Sequence, residues 1–337
     1  MADAYLDRQD QHILLADEEE LKKTLQRHYR KEHKSNLFNH MHDDELDGEL
    51  YIDALLPRLS NGFKQVALAL PGQYTKIVWY NDTPVCGIQV GENSQFTYEN
   101  DACEWITAKF SADLKLSKVY AGQRYLFVVY RHQVEWAFWD TGETKIIEIP
   151  NAASAEKDGD LYLAVGTEVH KFNPDSPDSK ELVLTCDRNI TQLVMHGDIV
   201  YAAEEDIGRS FVHVWSLSKE KKVHIYNVGN GHIIDMCVSA HVLCVRRDDR
   251  GLLLYDGRSR QKKVDPIVNV VCSCGDGTFF RSKYESVEHF GFEPYEETSL
   301  PSISTIVDMS VSQSGKLGII AYGLHQQFLF VNDVKEI

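Results

Sequence analysis

Residues 328–337, FLFVNDVKEI, decide the fold. They read as an apolar strand and a turn at Asn332-Asp333, after which the sequence stops where a returning strand is due. An unpaired strand edge leaves a row of N–H and C=O groups open, and folded domains generally cover such edges. The architecture therefore turns on which segment lies beside this strand.

Working back from that end, the chain is a series of short β-rich runs separated by Gly, Asp, Asn and Ser. Each unit holds an apolar strand, a polar turn, a second strand, another turn, a strand ending in an aromatic, and a fourth strand. Residues 231–267, GHIIDMCVSAHVLCVRRDDRGLLLYDGRSRQKKVDPI, show it best. Aligning the third-strand ends gives Tyr98, Trp139, Phe172, Trp215, Tyr255, Phe290 and Val331. They lie 41, 33, 43, 40, 35 and 41 residues apart, and the mean of about 39 is close to the repeat of a four-stranded propeller blade. Seven such units predict an all-β, seven-bladed β-propeller with four antiparallel strands per blade over residues 62–337.

Gly231-His232 some two dozen residues before Tyr255-Asp256, with Trp139-Asp140 at the same point of the second unit, resembles the WD40 repeat. Strict repeats of that superfamily build an Asp-His-Ser-Trp hydrogen-bond network. Phe172-Asn173, Phe290-Gly291 and Val331-Asn332 depart from its pattern.

The seventh unit supplies three strands, whereas residues 63–70, FKQVALAL, form one strand more than the first unit needs. Placing 63–70 as the outer strand of the seventh blade closes the ring and removes the open edge.

Residues 1–61 differ in texture. ADEEELKKTLQRHYRKEHKSN, 16–36, predicts a helix over about 17–33, capped by Asp17 with Glu20 three residues on. Leu21, Leu25 and Tyr29 make its apolar stripe, expected to pack beside the closing strand. HMHDDELDGEL, 40–50, follows as an acidic loop.

Composition narrows the function classes. The 337 residues are 43% hydrophobic and 26% charged, with a formal charge of −16. That acid excess opposes tight nucleic-acid binding and anionic membrane surfaces, and it can steer basic partners. No apolar run reaches the ~18 residues of a membrane helix, and the start, MADAYLDRQD, lacks the order of an export signal. Seven scattered cysteines then read as reduced thiols of a protein of the cytoplasm or nucleus.

Little in the sequence carries catalysis. There is no GxSxG elbow, P-loop or HExxH. His33, His40, His42, Asp43 and Asp44 are metal-capable residue types within a polar loop, and Cys272 and Cys274 are two small side chains on one face of an inner strand. Residues 229–234, GNGHII, lack the third glycine and helix of a phosphate loop. No cofactor or metal is expected.

The usable surface of a propeller is its loops. Turns between second and third strands offer Tyr130, Arg131 and His132 in blade 2, Glu204, Glu205 and Asp206 in blade 4, and Arg246, Arg247 and Arg250 in blade 5. These residues are the expected partner-binding set. The expectation is a non-enzymatic scaffold or adaptor, a subunit of an intracellular complex, gripping a peptide or helix of another protein. A basic partner such as a histone or ribosomal protein fits the charge. The rival is a hydrolase or isomerase working in the central channel, which requires acids or histidines converging there.

Overall fold

The computed structural model describes residues 64–68, 73–130, 132–150, 153–248, 251–256, 261–264, 270–283, 286–292, 296–299, 303–323 and 327–333. The expected helix at 17–33, the acidic loop and the histidine stretch all lie outside them.

All regular structure among the described residues is β. After β1 (Lys64–Leu68), blade 1 holds β2 (Gln73–Tyr80), β3 (Thr83–Val90), β4 (Asn93–Glu99) and β5 (Trp105–Phe110). Blade 2 holds β6 (Lys118–Ala121), β7 (Tyr125–Tyr130), β8 (Gln133–Phe138) and β9 (Thr144–Glu148). Blade 3 follows as β10 (Ala153–Lys157), β11 (Asp160–Val165), β12 (Glu168–Phe172) and β13 (Lys180–Thr185). Blade 4 is β14 (Ile190–His196), β15 (Ile199–Asp206), β16 (Arg209–Ser216) and β17 (Lys221–Asn230). Blade 5 is β18 (Ile233–Ser239), β19 (Val242–Arg247), β20 (Leu252–Tyr255) and β21 (Gln261–Val264). Blade 6 is β22 (Val271–Ser273), β23 (Phe279–Lys283), β24 (Ser286–Phe290) and β25 (Glu296–Ser299). Blade 7 has β26 (Ile303–Val311), β27 (Lys316–Gly323) and β28 (Gln327–Asp333).

These strands form seven four-stranded antiparallel sheets. The seventh has the order β1-β28-β27-β26, so the strand that starts the described chain is the outer strand of its last blade. Lys64 lies opposite Val331 and Leu68 opposite Gln327. The first strands of neighbouring blades face one another and wall the central channel.

Each pair of neighbouring blades encloses its own apolar cluster. Between blades 7 and 1, Ile320 and Leu329 meet Tyr74, Ile77 and Ile88, so the closing interface is packed like the others. Second strands are buried on both faces, as in Tyr125–Val129 of β7, because a blade lies on either side. In blades 2 to 6 the aromatic at the end of the third strand packs into the interface with the preceding blade: Trp139 stacks on Tyr80 at 4.5 Å, and its Nε1 donates to the Gly122 carbonyl at 2.8 Å. That contact is the physical basis of the repeat in the sequence.

Hairpins follow turn chemistry. Asn81 and Asp82 between β2 and β3 have φ of 45° and 60°, and Asp158-Gly159 between β10 and β11 have 54° and 85°. Both are left-handed pairs of the kind that matches strand twist and that Asn, Asp and Gly tolerate.

Candidate functional site

Turns between second and third strands share one rim with the connections from one blade to the next. Its best-formed part lies at blades 4 and 5. The hairpin from β15 to β16 turns at Ile207 and Gly208, with φ of 42° and 76°. A β-branched residue in the left-handed region is an outlier, because its branched Cβ crowds the backbone. Ile207 is also 100% exposed, so no packing explains its choice. Strained residues concentrate at sites that use them.

Charges surround this apolar tip, and they are paired within the chain. Asp206 meets Arg188, and Glu205 Oε2 lies 2.9 Å from His232 Nδ1. The hydrogen bond that His232 donates to Glu205 raises the His232 pKa above its ordinary value. Arg247 donates to the Val228 carbonyl at 3.1 Å. Gly231, with φ of 104°, passes so close to Asp248 that a Cβ would stand 2.7 Å from Oδ1. The Asp248 N–H in turn donates to the His232 carbonyl at 2.9 Å. The ring of His232 therefore serves the preceding blade through Glu205, rather than its own Asp248.

The other expected residues scatter. Tyr130 ends β7 and is half-buried, while His132 is exposed beside it. Arg131 and Arg250 lie outside the described residues. Glu204 is 1% exposed, not on the rim. Its Oε1 is 2.8 Å from His213 Nδ1, and burial raises the Glu204 pKa and lowers that of His213. Cys186 lies against the same carboxyl, and burial followed by Glu204 pushes its thiol up to about 12. Arg246 of β19 lies opposite Asp235 of β18, and its guanidinium is 3.9 Å from Asp235 Oδ2.

The channel holds a mixed cluster at the end nearest this rim. Lys118 of β6 donates through Nζ to Gln192 Oε1 of β14 at 2.9 Å and lies 4.0 Å from Asp235 of β18. It thus spans from blade 2 to blades 4 and 5. Its enclosure lowers the ammonium pKa, against the pull of Asp235. Asp308 accepts from the Ile77 N–H at 2.9 Å, and burial raises its pKa against the opposing charge of Lys76. Each acid here faces a cation or a backbone donor, an arrangement that binds the inner strands together.

Elsewhere, Cys272 is buried and Cys274 half-buried at the end of β22. Residues 229–234 form the end of β17 and the turn into β18. Among the described residues no three His, Cys, Asp or Glu side chains converge as metal ligands. The signal missed in the sequence is Ile207. An Ile-Gly pair between two strands of alternating pattern marks the same turn that Asp-Gly would.

No protein-family profile matches the chain, and no curated protein matches it. Solved structures do. The WD40 domain of Neurospora crassa Pan2 superposes with a TM-score of 0.55 at 12% identity, covering 79% of this chain and 93% of that one. A chain of a mitotic checkpoint complex gives 0.56 at 10% identity, over 80% of this chain and 90% of its own length. PorZ, of the type-IX secretion system of Porphyromonas gingivalis, gives 0.51 at 10% identity, covering 78% of this chain and 37% of that one. At such identities the likeness establishes the fold, a WD40-like seven-bladed β-propeller.

Proposed function

We propose that this WD40-like propeller is a non-enzymatic protein-interaction scaffold, a subunit of an intracellular complex. Its blade 4–5 rim engages another protein, with Ile207 as the apolar anchor. The observation that carries the reading is Ile207 itself, fully exposed and held in a conformation that costs about 1 kcal/mol or more. Around it, Glu205–His232 and Arg188–Asp206 fix the hairpin, so an incoming chain meets a preorganised tip. Tyr130, His132 and Arg247 belong to the same rim and extend the proposed surface. The formal charge of −16 favours a basic partner. Seven free thiols favour a reducing compartment, the cytoplasm or nucleus. Propellers in a Pan2 domain and a checkpoint complex are consistent with work in assemblies.

The test exploits the strain. Asn tolerates the left-handed region, so Ile207→Asn relieves the backbone while removing the anchor. Tagged wild-type and Ile207→Asn chains are purified from cells that express the protein, and co-purifying proteins are compared by mass spectrometry. A stoichiometric partner that is lost with Ile207→Asn, in a variant that melts no earlier than wild type, is the expected result. Wild-type protein that emerges alone overturns the scaffold reading.

A further inference from the structure

A cleft of about 540 Å³ lies between blades 1 and 2, lined by β4, β5, β8 and β9 and opening beside the β3–β4 turn, on the rim that carries Ile207. Toward the opposite rim Gly142 lets the β8–β9 turn pass close to Ile106 and Thr107 of β5, where a Cβ would stand 2.7 Å from Ile106 Cγ2.

Its floor is unusual in charge. Glu135 is 4% exposed, and it is an acid held by neutral donors. The Ser111 N–H donates to Oε2 at 2.8 Å, while Ser111 Oγ and Gln133 Nε2 each donate to Oε1 at 2.7 Å. Among the described residues no cation stands within ion-pair distance of it. Lys109 and Lys145 line the cleft as well, but neither makes an ion pair with the carboxylate, and Lys145 Nζ lies over the Phe138 ring instead. A carboxylate can accept about four hydrogen bonds; three are made, and Oε2 holds only one. Ser94, 1% exposed, lines the same cleft, and its buried Oγ has no hydrogen-bond partner among the described residues. Buried polar atoms are rarely left so. At the mouth Val90 and Ile146 are 46% and 56% exposed.

An uncompensated buried carboxylate, an orphaned hydroxyl acceptor and two exposed apolar side chains specify a complement. We propose that this cleft docks an extended basic segment of a partner protein. One arginine or lysine of that segment donates to Glu135 Oε2 and Ser94 Oγ, and an adjacent apolar side chain covers Val90 and Ile146. The site rests on the scaffold reading and gives that scaffold's partner its chemistry. Lysine or arginine is favoured over a neutral donor because a charge-assisted bond to a desolvated carboxylate is about twice as strong.

The probe is a displayed library of random linear peptides, selected on the full chain. Selected peptides are expected to share a basic residue next to an apolar one. Glu135→Gln, which keeps the shape and removes the charge, is expected to weaken them about tenfold or more. Ile146→Asp, at an exposed position where folding is not in question, is expected to weaken them several-fold and serves if Glu135→Gln melts early. Failure to select any peptide, selected peptides without a basic residue, or affinities that ignore both cleft variants each overturn the cleft. The scaffold reading fails separately, through the absence of a co-purifying protein. A partner that stays with Glu135→Gln but leaves with Ile207→Asn refutes the cleft alone.

Discussion

The rim at blades 4 and 5 and the cleft between blades 1 and 2 treat charge in opposite ways. On the rim, acids and bases alternate and satisfy each other: Glu205 with His232, Asp206 with Arg188. What remains for a partner there is apolar, the exposed Ile207. In the cleft the apolar residues stand at the mouth, and the unspent group is the carboxylate of Glu135. A charge visible in sequence is thus no guide to a charge available for binding. Availability depends on which neighbours the fold brings within reach.

The largest expected effect separates the two regions by breaking one. Gly87 of β3 packs under Phe96 and Leu114, where a Cβ would lie 2.5 Å from Phe96 Cζ and 2.8 Å from Leu114 Cδ1. Gly87→Val is expected to cost on the order of 3 kcal/mol by overpacking. It should distort the blade 1–2 interface and abolish peptide binding at the cleft. Amide exchange of the β15–β16 hairpin should stay as in wild type wherever the chain remains folded. Exchange accelerating equally in both regions would show that they are one cooperative unit.

The rim has its own glycine. Gly231→Ala places a Cβ against Asp248 at φ 104°, a region that side chains rarely adopt. The expected loss is about 2 kcal/mol, read by denaturant unfolding. An unchanged midpoint would mean that the Asp248 side chain simply moves aside and that the backbone there is unstrained. In the opposite direction, Ile207→Asn is expected to gain about 1 kcal/mol, a rise in Tm of about 2–4 °C. A lower Tm would mean that Ile207 is held by contacts rather than strained.

These effects bear on how much was legible in the sequence. The blade count was, since Trp139 and its equivalents sit where each blade packs on the next. The segment EEDIG in blade 4 was only partly so. It reads as one acidic turn, yet Glu204 lies on the buried stretch of β15 against His213, Glu205 points to the next blade, and only Ile207 forms the tip. Period-two alternation does not separate them, because both faces of a second strand are covered. Likewise RRDDR reads as a basic turn, yet Arg246 is a β19 residue set against Asp235 of the neighbouring strand. The cleft left no trace at all, because Ser94 of β4, Ser111 just past β5 and Glu135 of β8 come from distant points of two blades.

The smallest expected effect concerns the pair that holds the rim. His232 gains a hydrogen bond and a charge partner from Glu205, so its folded pKa stands above the ordinary value near 6.5. Because the folded form binds the proton more tightly, the stabilisation is fully present below about pH 6.5 and is lost as pH rises through the raised folded value. The ring is well exposed, so water and salt weaken the pair, and the effect on Tm should be slight. Proton NMR of the His232 ring reads it directly. The midpoint is expected above that of an exposed histidine and should fall back to it in Glu205→Gln. A midpoint at the ordinary value in wild type would mean that the pair does not form in solution. The hairpin would then lose one of the two clamps that present Ile207.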